Sequence, residues 1–456
     1  MVGKKIKGEE HLNYALVAKP HTPMYLMHKY WARKPHNVVS EYIKNYSKEG
    51  EIILDPFAGS GVTAIEAIKI GRKAISIDLN PISAFMTRCT AMPIDVSKIK
   101  NTFEEIKNNC EKEIEELYKT KCGECGNEAS IICTHWENST PLKIYYHCNI
   151  CKKKLNKKPD DEDLKLIKKT EKMRIPYWYP QTKLYYDGNG FLKKEKAEFI
   201  TDLFTKRNLI TLSILFESIN KINEEKIKNI FYFAFTSMTH LASKLTPVRP
   251  TRPMSSFWAL QSYWVPPINM ESNVWHLFDS SINGKQGIIE GKTDSNNQIQ
   301  NYKEAKKFSE LNDGANIFIK THNALEIKDI IPENSVDYVF TDPPYGGAIQ
   351  YFELSTLWAS WLKMDLDYSG EITINPKQNK DFEYYHNMLR ASFKQVYQVL
   401  KPGKYMTVTF HSTDIGVWNS IIKAVVMVGF ELEKIIYQPP ARPSAKGLLQ
   451  PYGSAV

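Results

Sequence analysis

Thr341-Asp342-Pro343-Pro344-Tyr345-Gly346-Gly347 closes the mostly apolar run Val336 to Phe340. A β-branched and aromatic run that stops at Asp-Pro-Pro reads as a buried parallel strand. It carries one carboxylate to the C-terminal sheet edge, where open α/β sheets bind ligands. Two consecutive prolines fix φ and remove two N–H donors, leaving their carbonyls free to accept from a ligand. Tyr345 offers a flat face for stacking, and Gly346-Gly347 lets a ligand approach the backbone. An acceptor carboxylate, an acceptor carbonyl and a stacking ring suit a planar base with an exocyclic amino group. A Pro-rich turn after a core strand is the simpler alternative for these residues taken alone.

A second stretch far upstream gives the first its meaning. Ile52-Ile53-Leu54-Asp55-Pro56-Phe57-Ala58-Gly59-Ser60-Gly61-Val62-Thr63 is another apolar strand, running into a glycine turn and a helical pattern. Strand, Gly-x-Gly turn and helix let backbone come close to a cofactor at a helix N-terminus. Lys73-Ala74-Ile75-Ser76-Ile77-Asp78 follows as a second strand ending in an acid, seventeen residues past Gly61, and Asn80-Pro81 then opens another helix. That spacing suits a carboxylate accepting from ribose hydroxyls.

With both stretches in place, the sequence resembles the DNA amino-methyltransferases, which methylate adenine N6 or cytosine N4 using S-adenosylmethionine. The resemblance covers about residues 22–92 and 314–438. Asp55 to Gly61 matches that family's cofactor loop, and Asp342-Pro343-Pro344-Tyr345 its catalytic motif. His28-Lys29-Tyr30-Trp31-Ala32-Arg33-Lys34-Pro35-His36 looks like its Lys-Pro segment, which leads a helix into the first strand. The resemblance implies an α/β fold, a doubly wound, Rossmann-like methyltransferase sheet; the residues between its two parts, read below, add a zinc ribbon and a helical lobe inserted after the second strand. It assigns Asp342, Pro343, Pro344 and Tyr345 to catalysis. It assigns Lys34, Pro35, Asp55, Pro56, Phe57, Ala58, Gly59, Ser60, Gly61, Thr63, Asp78, Asn80, Asn323, Ala324 and Asp342 to the cofactor. Many relatives carry Asp where Asn323 stands. Asp at the first position of the motif is commoner among adenine-N6 enzymes, so adenine is preferred over cytosine.

From about Pro93 the doubly wound pattern lapses for some 220 residues. Val96 to Leu117 reads as an amphipathic helix with Cys110 on its apolar stripe. Cys122-Gly-Glu-Cys125 and Cys148-Asn-Ile-Cys151 follow, with twenty-two residues between the pairs. Two such pairs can each form a thiolate knuckle and together close a tetrahedral, structural zinc site. Strand-like runs at Ala129 to Cys133 and Leu142 to His147 fit a zinc ribbon, with Cys133, His135 and His147 as spare ligands. Lys152 to Lys172 reads as a solvated, charge-dense linker. Tyr177, Trp178, Tyr185 and Tyr186 interleave with cations, a pattern that suits packing and, alternatively, a nucleic-acid strand. Two helices are expected at Phe204 to Ile219 and Glu224 to Leu241. Behind them comes a basic, Pro- and hydroxyl-rich loop whose Arg249, Arg252, Ser255 and Ser256 are candidate DNA ligands, its base buried by Phe257, Trp258, Tyr263 and Trp264. Residues 280–312 read as polar and flexible. The sheet resumes with strands at Asn316 to Lys320 and Val336 to Phe340 and a lining helix from Tyr351. A long helix then runs from Phe382 to Leu400, capped by Lys401-Pro402-Gly403, before strands at Tyr405 to His411 and Phe430 to Tyr437.

The expected division is a first core part (22–92), an insert (93–313) containing the ribbon (121–152) and a recognition lobe (196–280), a second core part (314–438) and a tail (439–456). The 456 residues, 42% of them hydrophobic, can bury a large core. An odd count of seven cysteines argues against a disulfide framework, and no apolar run approaches a bilayer span. A cytoplasmic home is therefore expected, with no membrane partner. The net charge of +9 agrees with double-stranded DNA as partner. Restriction or defence-system proteins are further partners that the resemblance suggests. Two other readings stay open: an RNA methyltransferase of the tRNA guanine-N2 type, and a non-catalytic zinc-ribbon DNA-binding subunit.

Overall fold

The computed structural model describes residues 12, 14–186, 189–192, 196–257, 263–412 and 414–438. In chain order the strands are β1 (Ile52–Asp55), β2 (Lys73–Asp78), β3 (Lys119–Lys121), β4 (Glu128–Glu137), β5 (Thr140–Cys148), β6 (Lys153–Lys157), β7 (Ile268–Ser272), β8 (Glu304–Ala305), β9 (Ile317–Thr321), β10 (Val336–Thr341) and β11 (Leu400–Val408).

Six of them form one parallel sheet in the order β11-β10-β1-β2-β9-β8. β1 and β10 are buried at every position, as a parallel strand covered on both faces must be. Their register sets Leu54 beside Val339, so Asp55 and Thr341 end together at the C-terminal edge. Helix His36–Tyr46 covers one face, with Tyr42 against Phe340 and Tyr46 stacked on Tyr338. The chain is thus a mixed α/β protein with a mostly parallel, Rossmann-like central sheet.

The second sheet is antiparallel, β3-β4-β5-β6 with β7 added on β4. Helices Lys206–Asn220 and Glu225–Thr239 pack beside it. A buried ion pair between Arg207 and Glu271 joins the first of these helices to β7, and Trp136 Nε1 of β4 donates to Glu271 at 2.9 Å. Trp178 packs on Phe216 (ring centroids 5.3 Å apart) and Tyr186 donates to Glu353, so these aromatics mainly join the insert to the core.

Four regions differ from the sequence expectation. Lys152 to Lys172 contains β6 and helix Asp161–Lys172 rather than a free linker. Asp160 and Asp163 form a reciprocal cap, acids fill the first turn and lysines the last, all of which favour a helix. Residues 280–312 hold the end of helix Val274–Asn283, helix Ile288–Gln298 and β8. The second helix has no apolar stripe; it packs through Gly291, where an added Cβ would meet Met27, and through the fully buried Lys292. That ammonium donates to the carbonyls of Cys89, Thr90 and Met92, capping the C-terminus of helix Pro81–Ala91. Lys401-Pro402-Gly403 lies within β11 as an irregularity, with Gly403 at φ +74°, and the strand ends at Val408. Phe430 to Tyr437 pairs with no strand, and Leu432, Ile435 and Tyr437 are exposed.

Candidate active site and metal centre

The C-terminal edge of the parallel sheet opens into a cleft of about 950 Å³, part of it open to solvent. Fourteen residues singled out from the sequence line it: Lys34, Asp55, Pro56, Phe57, Ala58, Gly59, Ser60, Thr63, Asp78, Asn80, Asn323, Ala324, Asp342 and Pro344. The early glycine turn and the late Asp-Pro-Pro motif therefore share one wall-to-wall site. Asp55 is the joint between them. One of its oxygens accepts from Thr341 Oγ1 (3.0 Å) and Phe57 N (3.1 Å), the other from Thr63 Oγ1 (2.6 Å). Burial pushes its carboxyl up to about 7, against the pull of those donors.

Asp78 accepts from Gly59 N at 2.8 Å and Asn80 N at 2.9 Å, fixing the glycine turn to the end of β2. Its carboxyl is raised to about 6 by burial. Gly59 sits at φ +52°, and a Cβ there would come within 2.8 Å of the Tyr30 ring. A close, side-chain-free turn beside a buried carboxylate is what a nucleoside-bearing cofactor requires. These residues fit S-adenosylmethionine. Asn80 ties the same loop to the helix Tyr351–Leu362 through Ser355 Oγ (2.7 Å).

Asp342 is held from three sides. Lys34 Nζ lies 2.7 Å from Oδ2, Tyr345 OH donates to both oxygens (2.7 and 2.8 Å), and Thr409 Oγ1 donates at 3.2 Å. Burial raises its carboxyl above the usual range, and the Lys34 ammonium opposes that. Lys34 also donates to the Tyr345 hydroxyl. Arg33 donates to Ser60 Oγ at 3.0 Å and to the His28 carbonyl at 3.1 Å.

Pro35, Gly61, Pro343 and Tyr345 are not among the lining residues. Pro35 and Gly61 precede the helices His36–Tyr46 and Val62–Lys69. Gly61 is left-handed (φ +76°), and a Cβ there would strike Thr87. Tyr345 is buried, its ring edge-on against Phe410. The Pro344 carbonyl accepts from Tyr385 OH at 2.5 Å, which occupies one of its two lone pairs. Among the lining residues that sequence reasoning passed over are Gly370, Glu371 and Ile372. They lie in an irregular segment with no periodicity or motif to mark it.

In the ribbon, Cys122, Cys125, Cys148 and Cys151 converge, all four sulfurs within 4.8 Å of one another. Cys122 and Cys151 are 3.8 Å apart, Cys125 and Cys148 3.6 Å. Tetrahedral zinc with Zn–S bonds of about 2.3 Å needs sulfurs roughly 3.8 Å apart, so the set fits that ion. Cys133 and His135 stand elsewhere: both face the Pro253 carbonyl, at 3.8 and 2.7 Å. They anchor the basic loop to β4. On that loop Arg252 and Ser255 are exposed, Arg249 and Ser256 half-buried, with the Arg249 guanidinium over the Phe257 ring. Tyr263 is buried, Trp264 is exposed, and Trp258 lies outside the described residues.

A family described as DNA methylase, the N6/N4 type, matches residues 4–84 and 336–447. The type II methyltransferase M.MjaII of Methanocaldococcus jannaschii is 22% identical over 365 residues, covering 77% of this chain and 64% of that protein. The type II methyltransferase M.MvaI of Kocuria varians is 22% identical over 349 residues, covering 74% of this chain and 56% of that protein. The DNA adenine methyltransferase YhdJ of Escherichia coli is 44% identical over 59 residues, 12% of this chain and 20% of that one. The chain thus spans less than two thirds of the length of the first two relatives. No solved structure matches. The parallel sheet, the two motifs meeting in one cleft and these matches together support a likeness to the DNA amino-methyltransferases.

Proposed function

We propose that the protein transfers a methyl group from S-adenosylmethionine to the exocyclic amino group of a DNA base flipped out of the duplex. Adenine N6 is the favoured target, cytosine N4 the second. The observation that carries this reading is the meeting of the glycine turn and Asp342 in one cleft. The bound cofactor supplies an electrophilic methyl on a sulfonium whose leaving group is already activated.

The chain's own residues supply position and polarity. The glycine turn and Asp78 seat the cofactor, with Asn323 beside its base. Asp342, kept an acceptor by Lys34, takes a hydrogen bond from the amino group, as does the Pro343 carbonyl. Losing conjugation with the ring, the nitrogen gains a lone pair aimed at the methyl. Holding both reactants in line accounts for much of the barrier reduction. Tyr345, whose hydroxyl bonds Asp342, is the ring that stacks on the base.

The core comprises residues 22–92 and 314–438, and the insert 93–313 reads the DNA. The four cysteines hold a structural zinc, because four thiolates leave no open coordination position. The loop carrying Arg249, Arg252, Ser255 and Ser256 contacts the duplex. Its attachment to the ribbon at Pro253 supports that role, as does its return to the helix behind the catalytic motif, where Tyr263 OH accepts from Leu357 N at 3.1 Å. Among the described residues no helix is long and apolar enough to cross a membrane, and we place the protein in the cytoplasm with its DNA.

The test is incubation with isotope-labelled cofactor and either duplex DNA or tRNA, followed by nucleoside mass spectrometry. Label in N6-methyladenine or N4-methylcytosine from DNA is the expected result and chooses between the two bases. Label confined to tRNA, or no label in either, overturns the proposal.

A further inference from the structure

Four carboxylates line the cleft among the described residues, and three are committed to the fold. Asp55 joins the two motifs, Asp78 holds two backbone N–H groups, and Asp342 is closed by Lys34, Tyr345 and Thr409. Glu371 differs. It is 6% exposed, and one oxygen accepts from Phe352 N at 3.0 Å, at the start of the helix Tyr351–Leu362. The other meets only the Gln378 amide, at 3.5 Å. Among the described residues no cation forms an ion pair with Glu371, and the Lys380 charge favours its ionised form from a distance. Lys380 Nζ donates to the carbonyls of Tyr368 and Glu371, Arg33 to Ser60 and the His28 carbonyl, and Lys34 to Asp342.

The position is built. A Cβ on the adjacent Gly370 would lie 2.9 Å from Leu79 and 3.7 Å from the Asn323 amide, so this segment closes over the ends of β2 and β9. The Tyr351 hydroxyl is pushed up by burial first, and then by Asp342, Tyr30, Asp78 and Glu371. Glu371 therefore shares its surroundings with both the catalytic and the ribose-facing acids. Burial also raises the Glu371 carboxyl. A buried carboxylate with an oxygen to spare and no cation in contact gains from one that arrives.

We propose that Glu371 is the counter-ion for the positive charge of the methyl donor and so determines the cleft's selectivity for it. S-Adenosylmethionine carries that charge on its sulfonium and on its α-ammonium. This inference rests on the proposed function, which supplies the donor. A helix-capping role alone would need only the oxygen facing Phe352 N, and Glu371→Gln keeps that oxygen while removing the charge.

Calorimetric titration of the wild-type chain and Glu371→Gln with three ligands tests the assignment. They are S-adenosylmethionine, S-adenosylhomocysteine (ammonium only) and 5′-methylthioadenosine (neither charge). The expected result is at least a roughly tenfold weaker hold on S-adenosylmethionine in the variant, with methylthioadenosine unchanged. An equal loss for S-adenosylhomocysteine assigns Glu371 to the ammonium; an undiminished affinity assigns it to the sulfonium. Glu371→Asp, which keeps the charge, should recover part of the affinity and serves if the Gln protein does not fold. Equal S-adenosylmethionine binding by wild type and Glu371→Gln overturns the inference, as does an equal loss for all three ligands. A wild-type chain that binds none of them refutes the methyltransferase reading itself.

Discussion

The two candidate sites of this molecule are assembled in opposite ways. Cys122 and Cys151 are 29 positions apart, on turns of one small antiparallel sheet, and the thiols need nothing beyond it. Thr341 and Asp55 are 286 positions apart, and the cleft exists only because β10 pairs with β1 in the right register. A local site fails when a ligand is lost. A non-local site fails also when its scaffold shifts, and here Asp55, Lys34 and Asn80 are the residues that hold the scaffold still.

The sharpest way to break that contrast is to remove a single reacting group on each side. Asp342→Ala should lower methyl transfer by roughly a thousandfold while cofactor binding and metal content persist. Single-turnover transfer of labelled methyl, beside calorimetry, checks this, and equal turnover in both proteins would end the assigned role. Next in size, Cys148→Ser should release the zinc and destabilise the ribbon by several kcal/mol, read by elemental analysis and thermal melting. If the sites are as separate as their construction implies, cofactor affinity in that protein stays close to wild type. Retained zinc with an unchanged melt would refute the four-thiol assignment. Arg252→Ala should act on neither site. Its exposed guanidinium, as a phosphate ligand, would weaken DNA binding several-fold and reduce the salt slope by about 1. An unaltered slope in a fluorescence anisotropy titration removes the loop from the interface.

The same contrast explains what could be read without coordinates. Strands β1, β2 and β10 announce themselves because burial on both faces forces apolar runs, and the glycine turn because φ values of +52° and +76° exclude side chains. The cysteines announce themselves because ligand spacing is local. Glu371 does not: its importance comes from the ends of β2 and β9 beside it, which no neighbour in sequence reveals. Helix Ile288–Gln298 is hidden for a related reason, since it is buried through Lys292 and Ser295 rather than through an apolar stripe. Tyr345 shows a further limit. Its identity suits a stacking ring, yet its rotamer is decided by Asp342, Lys34 and Phe410.

The smallest effect tests the joint itself. Asp55 keeps its proton in the folded chain up to about pH 7, because burial outweighs the donors around it, against an ordinary value of 3.8. A group with a raised folded pKa contributes stability in full below the unfolded value and loses it as pH rises through the folded one. Wild-type stability should therefore carry a component that declines on the order of 1 kcal/mol per pH unit between about 4 and 7. Asp55→Asn removes that component without breaking the joint. The Asn oxygen can still accept from Phe57 N and Thr341 Oγ1, and its amide can donate to Thr63 Oγ1, whose hydroxyl turns to receive it. Asp78 and Asp342 are present in both proteins, so the difference between the two profiles isolates Asp55. Urea unfolding from pH 5 to pH 8 should show the variant gaining on wild type as pH rises, with cofactor affinity reduced only slightly. Parallel profiles would mean that the carboxylate is ionised throughout, and that the two motifs are joined by a charge rather than by a shared proton.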